Sequence, residues 1–235
     1  MSKNGLIKRT PLKAYKNVNR SGLIAVNLRD GDELLNVQLT TGHDDMLLVT
    51  ADGMAIRFPE DDANQQGRAA SGVKGINLKD DDHLVAAVAI PMEPGDDSHS
   101  REPAQVGLTL LTVTENGYGK RTDVNDYRVH PEEGPPRSQS RGGKGRVDIK
   151  TIKRNGRSAA ATLIGDDDDV VVISRNGQLV RMSAASISSY GRGTQGVRVV
   201  GLNDGDRVVA VARVVERDEG DNAEESAADG ESSDS

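Results

Sequence analysis

Residues 116–122 read NGYGKRT, and the reading of this heptad decides the fold. Asn116-Gly117 is the preferred pair for a type I′ hairpin turn, whose two central residues both need positive φ. An apolar run, LTLLTVTE (108–115), leads into the turn, and Lys120-Arg121 follow it. The same construction recurs as NGLIKRT (4–10), DGMAIRF (52–58) and NGQLVRM (176–182). The turn glycines are Gly5, Gly53, Gly117 and Gly177, and their unequal spacings of 48, 64 and 60 residues place the extra length in loops, 91–105 and 130–143.

Three further elements belong to each unit. SGLIAVNL (21–28), SGVKGINL (71–78), KGRVDIKT (144–151) and QGVRVVGL (195–202) each open a short strand with a glycine. DGDELLNVQL (30–39), DDDHLVAAVAI (80–90), RNGRSAAATLI (154–164) and DGDRVVAVARV (204–214) are polar turns leading into another strand. MLLVTADG, LTLLTVTENG and VVVISRNG precede the later glycine turns. Tandem units of four short strands are blades of a propeller-like array, which need neighbours to cover both faces. The expected fold is all-β, four units at about 1–44, 45–105, 106–168 and 169–216, each a four-stranded antiparallel blade. An irregular β-sandwich is the alternative. Only MSKN precedes Gly5, so the first unit lacks an opening strand, and the expectation is a piece of a longer protein with an open sheet edge.

Composition closes off several functions. The 235 residues contain no Cys, which excludes disulfide frameworks, Cys-ligated zinc and thiol catalysis. No apolar run approaches the roughly 18 residues of a membrane span, and the N-terminus is no secretory signal, so the default reading is a soluble cytoplasmic protein. Aromatics make up 2%, too few for a base-stacking platform. The net charge of −7 is unevenly spread. Residues 216–235 hold nine acids against Arg217 alone, a charge of −8, which leaves +1 on residues 1–215. With almost no large apolar side chains, 217–235 reads as a disordered acidic tail. Residues 1–29 carry seven bases and no acid, and 137–157 carry eight bases and only Asp148. Two acid-poor clusters in an acidic chain point to a polyanionic partner. The acidic stretch 58–106 would interrupt any track between them.

No catalytic constellation is present in the sequence. GRGTQG (191–196) spells a dinucleotide fingerprint but leads into a strand, where no helix N-terminus meets a pyrophosphate. GDDDDV (165–170) lacks calcium-loop spacing. His43, His83, His99 and His130 are scattered, and Tyr15, Tyr118, Tyr127 and Tyr190 sit in no nucleophile motif. No metal site or cofactor is expected. The recurring bases are the candidates: Lys8, Arg9, Arg57, Lys120, Arg121 and Arg181 occupy matching strand positions, and a ring of them at one height would track a phosphate backbone. Lys13, Arg192 and Arg198 lie beside the same elements. QSRGGKG joins Gln139, Ser140, Arg141, Gly142, Gly143, Lys144 and Gly145, with Arg146 following; its glycines let backbone amides approach an anion.

NGYGKRT, SGVKGINL, GRGTQGVRVV and the DGDELL and DGDRVV turns together resemble the repeat signatures of the DNA gyrase A C-terminal domain, over essentially all of 1–216. The resemblance implies about four of six blades of a β-pinwheel whose basic rim wraps double-stranded DNA. It implies the remainder of gyrase A, and gyrase B, as partners, with ATP and magnesium belonging only to the whole enzyme, and a bacterial, nucleoid-associated location. QSRGGKG resembles the gyrase A box, departing at Ser140 and lying in a later unit than the family places it; a functional loop and a degenerate copy both remain open. Alternatives are the equivalent C-terminal domain of topoisomerase IV and a propeller scaffold for proteins without a DNA role. The −8 tail would compete with DNA for the basic rim. Deleting 217–235 is expected to tighten duplex binding, most at low salt; equal affinity of both chains across a salt series excludes competition.

Overall fold

A computed structural model describes residues 1–18 and 20–214; the acidic tail expected over 217–235 lies outside them. The Gly turns close antiparallel hairpins. β2 (Asp45–Thr50) pairs with β3 (Met54–Pro59), β6 (Thr109–Thr114) with β7 (Tyr118–Asp123), and β10 (Asp169–Ser174) with β11 (Leu179–Ser183). β1 (Leu6–Ile7) is the matching strand after Gly5. A long strand from the same unit covers the other side of each hairpin: β5 (Leu84–Ile90) on β2, β9 (Ser158–Ile164) on β6, and β13 (Val208–Val214) on β10. All three pairings slip at the same place, Val49/Thr50, Val113/Thr114 and Ile173/Ser174.

The fourth strand comes from the next unit. β4 (Val73–Lys74), β8 (Arg146–Val147) and β12 (Val197–Arg198) are two residues long and pair with β1, β3 and β7 of the unit before. The sheets are therefore β5-β2-β3-β8 and β9-β6-β7-β12, with β13-β10-β11 and the β1-β4 pair at the two ends. The expected repeated four-stranded antiparallel sheet is present twice in full. Among the described residues, the last sheet has three strands and the first pair two.

Donation requires close backbone contact. Gly72, Gly145 and Gly196 all have positive φ, and a Cβ there would lie 2.6, 2.4 and 2.6 Å from the carbonyl oxygens of Ile7, Ala55 and Gly119. No side chain fits that gap. The apolar residues of the hairpins then face both ways, because successive side chains of a strand point to opposite faces. Leu47 and Val49 pack towards Leu110 and Tyr127, while Met46 and Leu48 pack with Ile7, Phe58 and Ile76. Leu111 and Val113 meet Val170, Val172 and Ile187 in a third cluster. β2 is thus buried at every position, whereas β10 is fully buried only at alternate ones.

The recurring arginines hold the blades together and form no open ring. Arg57 is fully buried; its Nε donates to Asp45 at 2.7 Å and its Nη1 to the Val124 carbonyl at 2.8 Å. Arg121, also buried, pairs with Asp166 and donates to the Ile187 carbonyl. Arg9 pairs with Asp61 at 2.9 Å, and the more exposed Arg181 with Asp169 at 2.7 Å. Each lies four residues after its turn glycine, so the repeat in sequence is a repeat of internal ion pairs. Lys120 is fully buried beside Asp148 at 3.2 Å, and its counterpart Lys8 donates to the carbonyls of Ala25, Gly67 and Arg68. The exposed rim expected from Arg57, Lys120 and Arg121 is corrected here: both faces of these hairpins are covered, so the bases point into protein.

Two outcomes follow for urea unfolding. Gly145→Ala should cost roughly 3 kcal/mol or more, since left-handed strain is joined by a backbone clash, against about 1 kcal/mol at the open Gly177. Arg57→Ala should cost about 3–5 kcal/mol by stranding buried Asp45, whereas Arg181→Ala, at a half-exposed pair, should cost under about 1 kcal/mol.

Candidate nucleic-acid interface

The loops entering the donated strands share one design. Arg68, Arg141 and Arg192 stand four residues before Gly72, Gly145 and Gly196. Each later loop clips onto the donated element before it. Gly142 N–H donates to Gly75 O and Gly193 N–H to Asp148 O, both at 2.6 Å; Asn77 N–H returns to Gly143 O and Lys150 N–H to Thr194 O, both at 2.8 Å. The guanidinium of Arg141 donates to the carbonyls of Asp62 and Lys74, and that of Arg192 reaches the matching Val147 carbonyl at 3.4 Å. QSRGGKG is therefore one copy of an inter-unit clip, and GRGTQG is another. Within it, Gln139 N–H donates to Arg57 O, and Ser140, Gly143 and Lys144 are left exposed.

Of the cations whose side chains meet no carboxylate among the described residues, Arg141, Lys144, Arg146, Lys150, Lys153, Arg154, Arg192 and Arg198 form a band on the donated strands β8 and β12 and their loops. Several touch the same groups. Arg154 and Arg198 flank the Tyr118 ring at 5.1 and 5.4 Å from its centroid, and Arg154 also donates to Gln195. The hydrogen bond from Arg198, helped by the charge of both arginines, holds the Tyr118 hydroxyl below its ordinary pKa. Burial, with repulsion from Arg192, holds Arg146 below the usual arginine value. Like charges held this close without a counter-charge favour an anion between them.

The band brings together Arg141, Lys144, Arg146, Arg192 and Arg198 from the sequence-derived candidates. It does not include Arg57, Lys120 or Arg121, which are buried, nor Arg9 and Arg181, which are ion-paired. Lys8 and Lys13 lie in the first unit, Lys13 exposed in a short 3₁₀ turn. Arg68 was missed, although its spacing of four to a glycine matches Arg141 and Arg192. Lys150, Lys153 and Arg154 fall in the basic run but at no recurring position. Some acids of 58–106 are engaged by the protein's own groups, Asp61 taking Arg9 and Arg101 and Asp62 taking His99 and the Arg141 amide, whereas Asp80, Asp81, Glu93 and Asp96 stay exposed. Burial pushes the Asp61 carboxyl up, but the two arginines outweigh it and hold the pKa down.

The chain matches the family model described as DNA gyrase C-terminal domain, beta-propeller, over residues 1–41, 44–91, 109–130 and 168–214. It is 41% identical over 211 residues to the DNA gyrase A protein of Haloquadratum walsbyi, covering 90% of this chain and 22% of that protein. It is 38% identical over 224 residues to the DNA gyrase A protein of Staphylococcus aureus strain MRSA252, covering 95% and 23%. The chain thus spans under a quarter of the length of these relatives. A solved DNA topoisomerase IV C-terminal domain superposes with a TM-score of 0.77 at 26% identity, over 91% of this chain and 60% of that one. A solved DNA gyrase A C-terminal domain gives 0.73 at 24%, over 92% and 64%, a likeness of fold. Fold, repeat and sequence agree, and the chain belongs to the DNA gyrase C-terminal domain, beta-propeller family.

Proposed function

We propose that this chain binds double-stranded DNA without sequence preference and bends it, as the wrapping element of a gyrase-type topoisomerase. The observation that carries this is the cation band without carboxylate partners, running over donated strands of successive units. Phosphates would displace condensed counterions along it, giving affinity that is independent of base sequence and falls steeply with salt. Bending 20–30 base pairs through 40–90° costs about 1–6 kcal/mol, so many distributed contacts must offset it, and a repeated surface supplies them. Strand breakage and ATP hydrolysis belong, in this reading, to the remainder of gyrase A and to gyrase B, with ATP and magnesium bound there. Wrapping gives their strand passage its direction and so drives negative supercoiling. The location is the cytoplasm, with the nucleoid. The gyrase relatives favour this over a topoisomerase IV origin.

Binding to duplexes of about 150 and about 20 base pairs across a salt series tests the proposal, with a slope near −0.9 per neutralised phosphate and preference for the longer duplex. Replacing Lys144, Lys150 and Arg198 together by Gln should lower that slope by about one per lost contact and leave thermal unfolding unchanged. A folded chain that binds neither duplex at low salt overturns the reading and favours a protein-interaction scaffold.

A further inference from the structure

The two loops that lengthen the second and third units, 91–105 and 130–143, meet at His99. Their main chains are tied first: Ser138 N–H donates to His99 O at 2.8 Å. The ring then makes two contacts of its own. Its Nδ1 lies 3.1 Å from the Ser138 carbonyl oxygen, and its Nε2 lies 3.1 Å from Oδ1 of Asp62, in the 3₁₀ turn after β3. The second oxygen of Asp62 accepts the Arg141 N–H at 3.0 Å, and the Asp62 carbonyl accepts Arg141 Nε at 2.7 Å. One carboxylate therefore joins His99 to the arginine of QSRGGKG.

Both ring nitrogens face groups that only accept. A carbonyl oxygen has no proton to give, and an ionised carboxylate has none either. Neutral imidazole carries a single N–H, so only the imidazolium satisfies both contacts. Charged groups come close from each element around the ring. On its own loop, Asp97 accepts the His99 main-chain N–H at 3.0 Å; the Ser100 hydroxyl, together with that amide, holds the Asp97 carboxyl below its ordinary value. Arg101 of the same loop is taken by Asp61. From 130–143, Arg137 shares with His99, Gln139 and Ser140 the lining of a cavity of about 430 Å³, and Arg141 lies across Asp62. The His99 side chain is 30% exposed, so its proton exchanges with water. The matching Asp126, nine residues after Gly117 as Asp62 is after Gly53, makes no hydrogen bond to a histidine among the described residues.

We infer that His99, as the imidazolium, is a positioning residue for QSRGGKG, and that the loop's hold on a phosphate follows the His99 proton. The charged ring fixes Asp62, and Asp62 fixes the Arg141 amide and the turn at Gly142 that presents Lys144. This rests on the DNA-binding reading of the loop. Histidine is the side chain that ordinarily changes charge between about pH 5 and 8. On the acid side of that range the clasp is complete. On the alkaline side one ring nitrogen meets an acceptor with no proton between them, and the clasp opens.

Two readouts on the full chain test this at about pH 5.5 and about pH 8, at one salt concentration. The first is amide hydrogen exchange without DNA, corrected for the intrinsic rate. The second is affinity for a duplex of about 150 base pairs. Protection of the Arg141 and Gly142 amides should fall about tenfold at the higher pH, with duplex affinity severalfold weaker. His99→Gln, neutral throughout, should show equal protection at both, with thermal unfolding close to the parent's; whatever pH dependence its affinity keeps belongs to other groups. Asp62→Asn should reverse the profile, because its amide donates to unprotonated Nε2 while its oxygen still accepts the Arg141 N–H. A merely structural histidine predicts no reversal. Parent protection that ignores pH, or a folded His99→Gln chain that keeps the parent's profile, overturns the inference. Protection that follows the proton beside a flat duplex affinity overturns the coupling to binding. The same protection in a chain that binds no duplex at either pH upholds the positioning role and overturns the DNA-binding reading instead.

Discussion

Backbone lies on backbone wherever one unit meets the next, and the rest of the structure depends on that contact. At Gly72, Gly145 and Gly196 the incoming chain passes so close to a neighbour's carbonyl that a single methyl group is excluded. The approach sets the distance between consecutive sheets. That distance allows one layer of side chains on each side of β2 and β6, so a residue of either strand is apolar, like Leu47 and Leu110, or is a polar group with an internal partner, like Asp45 and Thr112. The glycine turns and apolar runs therefore answer to one geometric requirement.

Close packing also sorts the charges. A base on a hairpin covered on both faces has no route to water and must meet a carboxylate or carbonyl. Asp45 accepts both Arg57 and Ser138, while Asp148, carried on the element that donates β8, accepts Lys120 and Thr112 of the following sheet and Tyr127 of the 3₁₀ turn after β7. Burial pushes the Tyr127 hydroxyl pKa well up, with the Asp148 charge adding to it, so the phenol keeps its proton and stays a donor. Buried pairs of this kind add little net stability over an apolar core, but they penalise a slipped register heavily. Cations on the donated elements, by contrast, lie outside the covered hairpins and have no such partner.

The hairpins were legible because Asn-Gly and Asp-Gly pairs between apolar runs have a specific turn chemistry. Donated strands were visible as repeats, but two residues carry no periodicity, so nothing in Val73–Lys74 says which sheet it joins. Exposure of the recurring arginines was misjudged for a related reason. Alternation identifies an outward face only when one face is wet, and β3 has none: Arg57 sits between Ile56 and Phe58, all buried. Its partner Asp45 is one acid among many in the sequence. The band at β8 and β12 was half legible, since Arg141 and Lys144 stood in a marked loop, whereas Arg198 owes its place to a pairing with Tyr118 that only the fold creates.

Strand donation has a consequence for the order in which the chain becomes structured. Ala55 waits for Arg146 before its sheet edge is closed, and Gly119 waits for Val197. At synthesis rates of about 5–20 residues per second, each hairpin leaves the ribosome with its edge open for several seconds. Completion then runs along the nascent chain one unit late, so that a stalled or shortened product always ends on an unsealed hairpin.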